Sequence, residues 1–240
     1  MVTLPTLQRR IVRCRQCPRL VAHRERVAEE KVKRYRDQEY WGKPIPSFGD
    51  PRARVLIIGL APAAHGGNRT GRIFTGDRSG DWLYGALYEA GFANQPTSVH
   101  KNDGLRLTDC YITTAVHCAP PDNKPTPDEF IACRLYLLQE LTLLRRVRVV
   151  IALGQIAFAA YLTARRQLRL PLPSPLPRFG HGATFTLNDV TLIGSYHPSQ
   201  QNTFTGRLTH AMFATVFQSA KTLLSQQAVL RSCDEGPKVL

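Results

Sequence analysis

An α/β fold with a mainly parallel sheet is predicted by three features of this 240-residue sequence. Short β-branched runs alternate with helix-length segments, the pattern of a sheet covered on both sides. The runs are apolar throughout, as in strands buried on both faces. The two most unusual loops follow the first run and the last, at the strand ends where parallel sheets bind ligands.

Residues 1–40 alternate apolar and basic positions and read as helical, with a break near Cys17-Pro18. Trp41 to Arg54 is a Pro/Gly-rich connection. Val55 to Gly59 is the first strand, and a long loop from Leu60 to Asp77 leads into a helix over Ser79 to Gly91. Cys110 to Val116 is a second strand. Asp128 to Leu144 is helical, with Thr126 as N-cap and Pro127 in the first helical position. Arg148 to Leu153 is a third strand and Gln155 to Arg166 a helix. After an exposed proline-rich connection (Leu170 to Pro177), Thr184–Leu187 and Val190–Ser195 pair as a hairpin around Asn188-Asp189. Thr209 to Gln226 closes the chain as a helix. This organisation predicts one domain over residues 1–230, with 1–40 a basic helical extension and 231–240 a disordered tail.

The charge points to a polyanionic partner. Lys and Arg number 32 against 18 Asp and Glu, a formal net charge of +14, and phosphates neutralised by such residues release counterions. A generically basic enzyme has the same balance. Residues 9–36 carry 11 Lys/Arg and 3 Asp/Glu, which suits either a surface that tracks a phosphate backbone or a solvated helix face. A hydrophobic fraction of 43% supports a real core and excludes wholesale disorder. No apolar run approaches the ~20 residues that span a bilayer, and the first residues lack the apolar segment of a secretory leader, so a cytoplasmic location is expected.

In a cytoplasmic chain, closely spaced cysteines are read first as metal chemistry. Cys14 and Cys17 form a CxxC whose thiolates can reach one metal; no strand precedes it, which argues against a redox pair. Cys118 and Cys133 flank a proline-rich excursion that can fold back and bring their sulfurs together. Four thiolates from two segments suit a [4Fe–4S] cluster or an all-thiolate zinc site, and composition does not choose between them. Cys110 reads as a buried small hydrophobe and Cys233 as part of a polar tail.

Two loops carry the remaining chemistry. The first, GLAPAAHGGNRTGRIFTGD over residues 59–77, places one aromatic, Phe74, and one carboxylate, Asp77, among glycines that permit close backbone approach. The second, HPSQQNTFTGRLT over residues 197–209, opens on His197. Neither a Walker loop nor GxGxxG is present, so phosphate hydrolysis and dinucleotide binding are weak readings.

Together with the cysteine pairs, these two motifs resemble family 5 of the uracil-DNA glycosylases, from about Arg13 to Phe217. The resemblance implies a three-layer α/β/α sandwich around a mainly parallel four-stranded sheet. It also implies a structural [4Fe–4S] cluster on Cys14, Cys17, Cys118 and Cys133, and a monomeric prokaryotic enzyme used at the nucleoid. The implied reaction is hydrolytic excision of uracil, and of hypoxanthine and xanthine, from DNA, leaving an abasic site. Such chemistry needs a flipped base, a stacking floor, leaving-group stabilisation and a positioned water. Phe74 is the expected floor, unless it merely plugs the core below the loop. His197 is the expected donor to the base oxygen, unless it only caps a turn. The ring and the imidazole are expected to grip one base from two sides.

Asp77 orients water, caps the next helix, or does both. Other branches carry a polar residue directly after the first motif's Ala-Pro-Gly; Ala63 and Ala64 stand here, leaving His65 to add polar contacts. Thr114 stands where a related branch has a uracil-reading Asn, and Asn123 could supply a pocket amide or a turn. Asn202, Thr203, Thr205 and Arg207 are expected at the DNA backbone. Two rival readings are a non-catalytic nucleic-acid-binding module and a zinc-stabilised nucleotide hydrolase.

Overall fold

The computed structural model describes residues 2–234, with side chains described through residue 226. Its centre is a six-stranded sheet in the order β1-β3-β2-β4-β6-β5. Strands β2 (Val55–Gly59), β3 (Cys110–Thr114), β4 (Val149–Leu153) and β6 (Val190–Ser195) run parallel. These four are the expected parallel core. Two antiparallel edge strands extend it, correcting the expected count of four: β1 (Phe48–Gly49) on β3 and β5 (Thr184–Leu187) on β6. The β5–β6 hairpin follows the sequence reading, whereas β1 lies within the stretch read as connection.

Alternation along each strand divides the core into two layers. Val55 and Ile57 of β2 face helices α4 (Arg78–Glu89) and α8 (His210–Asp234), meeting Leu83, Leu87, Phe213 and Phe217. Leu56 and Ile58 face the other way, toward Leu137 of α5 (Pro127–Leu143) and Phe158 and Tyr161 of α6 (Gln155–Gln167). The result is the expected α/β/α sandwich.

The basic N-terminal segment is packed into this domain. Helix α1 (Leu4–Val12) buries Leu7 and Ile11 against Tyr136 of α5, and α2 (Pro18–Glu30) buries Leu20 beside Val116 and Cys118. Several of its cations have internal partners: Arg15 pairs with Glu25, Arg19 with Glu129, and Arg24 is buried. Capping works as the sequence predicts at α5, where Thr126 and Glu129 form a reciprocal capping box. At the other end of the chain, α8 continues through Asp234, so residues 231–234 are helical rather than part of a disordered tail. The rest of that tail, and the Cys233 side chain, lie outside the described residues. Among the described residues no helix is long and apolar enough to cross a membrane.

Candidate active site

The two unusual loops meet at the carboxyl ends of β2 and β6. Strand β4 lies between them and is followed by Gly154, whose φ of +95° suits glycine. A side chain there would begin 3.5 Å from the Cβ of His197. This is also where the chain order reverses, β3 lying on one side of β2 and β4 on the other, the general location of ligand sites in open parallel sheets.

Phe74 is held in an unusual backbone state, φ +52°, rare for a bulky residue and a mark of a conformation imposed by its surroundings. Its ring lies against the α-carbon of Gly59, where a Cβ would come within 2.8 Å of Cζ. The α-carbon of Gly80 faces the Phe74 carbonyl with no space for any side chain. Below the loop, the Tyr84 hydroxyl donates to the Ile73 carbonyl at 2.8 Å. Arg72, almost wholly buried, donates to Thr75 Oγ1 (2.9 Å), Ser98 Oγ (2.9 Å) and both oxygens of Asp103 (2.8 and 2.6 Å). Burial alone would raise the Asp103 pKa. The Arg72 guanidinium and the N–H groups of Leu105, Val99 and His100 overcome that, holding the carboxyl well below the usual range. Arg69, in the short helix α3 (Gly67–Thr70), clamps the same loop, donating to the carbonyls of His65 and Gly76 at 2.7 Å each.

Phe74 and His197 lie with ring centroids 5.7 Å apart and planes tilted by 32°. Both line one cavity of about 610 Å³, together with Ala63, Asp77, Asp122 and Asn123. The convergence expected of the two loops is therefore present. The expected two-sided grip is not. A base between two ring faces needs about 7 Å, two van der Waals contacts, so His197 can address only the edge of a base resting on Phe74. Phe74 also belongs to the core beneath, as the plug reading expects, while its ring lines the cavity.

Burial lowers the His197 pKa to about 4, which leaves the imidazole neutral at physiological pH. Its carbonyl accepts a hydrogen bond from Asn202 Nδ2 at 2.8 Å. Asp77 caps α4, accepting from the Gly80 N–H at 3.0 Å, while lining the cavity. Burial raises its pKa, against the pull of the Gly80 and Ser79 N–H groups. Asn123 and Asp122 both have positive φ and reach the cavity from the turn after β3. Thr114 is buried behind Gly59, and its Oγ1 has no hydrogen-bond partner among the described residues.

The cavity opens into a broader groove of about 990 Å³ that shares Ala63, Asp77, Arg78 and Asn123 with it. Ala64 and His65 also line this groove, whose charged lining sets Arg34, Arg69 and Arg78 against Asp77, Asp81 and Asp122. His65 Nδ1 lies 3.0 Å from the Tyr40 hydroxyl. Helix α7 (Gln200–Phe204) follows His197, and the hydroxyls of Thr203 and Thr205 bond back to the carbonyls of Gln200 and Gln201. Arg207 is exposed, its guanidinium 4.5 Å from the Tyr196 ring centroid.

Cys14, Cys17, Cys118 and Cys133 line a second, small cavity between α2, the loop after β3, and α5. The His117 N–H donates to Cys133 Sγ at 3.3 Å and Arg24 Nη1 to Cys118 Sγ at 3.3 Å. Burial raises the pKa of Cys17, Cys118 and Cys133, and the neighbouring cysteines add to the rise. Among the described residues no three Cys, His, Asp or Glu converge as a single-ion site. Cys110 is buried in β3, apart from this group. The roles of Arg72, Asp103, Arg69, Arg24 and Asp122 are absent from the sequence reading. Arg69 and Arg72 lie inside the first motif, which is the one signal that could have flagged them.

The family model described as the uracil DNA glycosylase superfamily matches residues 46–221. The chain belongs to this superfamily. It is 52% identical over 212 residues to a type-5 uracil-DNA glycosylase of Mycobacterium tuberculosis, spanning 88% of this chain and 78% of that protein. Identity is also 52%, over 211 residues, to the type-5 protein of Thermus thermophilus, covering 88% of this chain and 93% of that one. A type-4 uracil-DNA glycosylase of Pyrobaculum aerophilum is 34% identical over 125 residues, 52% of this chain and 56% of that protein. The resemblance to family 5 read from the motifs is thus borne out across most of the chain.

Proposed function

We propose that this protein extrudes uracil from DNA and hydrolyses its N-glycosidic bond, releasing the free base and leaving an abasic site. The observation that carries the proposal is one cavity lined by the Phe74 ring, the His197 imidazole and the Asp77 carboxylate. The base stacks on Phe74. As the bond from C1′ to the base breaks, its electron pair moves onto the base and positive charge grows on the sugar. His197, neutral, donates its N–H to the base oxygen that gains negative charge, an interaction that strengthens toward the transition state. Asp77 offsets the positive sugar and orients the water that adds at C1′. The groove holds the flanking strand through Arg34 and Arg78.

Thr114 stands where a related branch has a base-reading carboxamide and does not line the cavity; with no carboxamide from β3 to fix the base edge, hypoxanthine and xanthine are accepted as well as uracil. The four grouped cysteines would hold a [4Fe–4S] cluster. Four sulfurs around a common space suit such a cluster or an all-thiolate zinc ion, and the N–H donors to Cys133 and Cys118 suit anionic thiolates. When bound, the cluster would supply covalent bracing, tying the α1–α2 segment to the loop after β3 and to α5.

A gel assay with duplexes carrying uracil, hypoxanthine or xanthine tests this reading. Alkali-labile abasic product is expected from the uracil strand. Salt-sensitive binding with no abasic product would replace the enzyme by a binding module.

A further inference from the structure

Extruding a base leaves a gap in the stack, and the protein needs an apolar group to fill it. Few exposed side chains have that character. Phe204 is 67% exposed, more than any other large apolar residue described. It ends α7, seven residues beyond His197, and lines the groove that opens from the base cavity. Val99, also exposed, lines the same groove but offers no π-face for stacking. The Phe204 ring is not simply loose in solvent. The guanidinium of Arg78, next to Asp77, lies 4.5 Å from its centroid. A cation over an exposed ring is worth little in water, so this contact is easily exchanged. Base stacking is sequence-tolerant and stronger.

We propose that Phe204 is the side chain that enters the base stack in place of the extruded nucleotide, leaving its resting position on Arg78 as it does so. The inference rests on the glycosylase reading above. On release of the ring, the Arg78 guanidinium is free for a phosphate beside the lesion, which couples insertion to backbone grip. Helix α7 carries both consequences: its first turn anchors His197 through Asn202, and its last residue is the wedge. Insertion and presentation of the imidazole are thereby set by one short rigid element.

The test compares uracil release by wild type, Phe204→Ala and Phe204→Trp on two duplexes. In one, uracil lies opposite guanine; in the other, opposite a pyrene nucleotide whose ring itself fills the stack and holds uracil out. The Ala variant should lose roughly 5- to 150-fold in single-turnover rate on the guanine duplex, recover wild-type rate on the pyrene duplex, and be rescued on the guanine duplex by Trp. Equal loss on both duplexes would overturn the wedge and place Phe204 in the pocket. No loss on either would overturn it as well. Wild-type protein that releases no uracil from either duplex would instead overturn the glycosylase reading, and the wedge with it. The exposure of Phe204 makes misfolding of these variants a minor concern, and thermal unfolding of each variant checks it.

Discussion

In the proposed reaction, His197→Ala removes the group that meets negative charge on the departing base. The loss of a single preorganised donor of this kind costs roughly 10²- to 10³-fold in rate, about 2.7–4 kcal/mol. Because the interaction grows only in the transition state, DNA affinity should change by no more than about threefold. The same residue leaves a mark on stability. Burial holds its pKa at about 4, against 6.5 for an ordinary histidine. A group depressed in the folded state contributes fully above its unfolded value and loses that contribution as pH falls. Between pH 6.5 and about 4 the wild-type protein should therefore lose about 3 kcal/mol through this residue alone. Urea unfolding at pH 7.5 and 4.5 reads it as a drop that is smaller by that amount in the Ala variant. Single-turnover uracil release supplies the rate, and should show no titration of His197 between pH 5 and 8. A rate that falls as an imidazole near 6.5 protonates, or DNA binding that weakens as much as catalysis, would refute the neutral-donor argument.

Asp77→Asn should slow uracil release yet raise stability near neutral pH. The raised pKa means that the folded state favours the protonated acid, so stability falls as pH rises through the folded value, and Asn removes that cost while still capping α4. Lower stability of the variant at pH 7 would contradict this. Asp103→Asn breaks a buried ion pair beneath the Phe74 loop and should cost about 3–5 kcal/mol in urea unfolding; a change below about 1 kcal/mol would show that the pair is not holding the loop. Replacing Cys14 or Cys133 by Ser should abolish bound iron and sulfide and lower the thermal midpoint. A colourless wild-type protein containing zinc would exclude the cluster.

The strands were readable because Val55–Gly59 and Val149–Leu153 are continuous apolar runs with turn signals at their ends. Phe74, Asp77 and His197 were readable because a parallel sheet gathers its strand-end loops on one side. Two-residue β1 was hidden: its pairing with Tyr111 and Ile112 is a long-range fact inside a Pro/Gly-rich stretch. Asp103 was hidden for a similar reason. Thirty-one positions separate it from Arg72, and no local pattern announces a pair that forms only when two loops fold together. Helix α8 runs on past Gln226 through Asp234 although Ser232, Cys233 and Asp234 are weak helix formers, so local propensity did not announce its end.

The floor of the base cavity is a three-part lock. Phe74 fits only because positions 59 and 80 have no side chain, and those glycines have a packing reason to stay only while Phe74 keeps its left-handed turn. Any redesign toward a bulkier substrate is thereby barred from deepening the pocket one residue at a time from below. New room must come from the opposite rim, around Asn123 and Gln201.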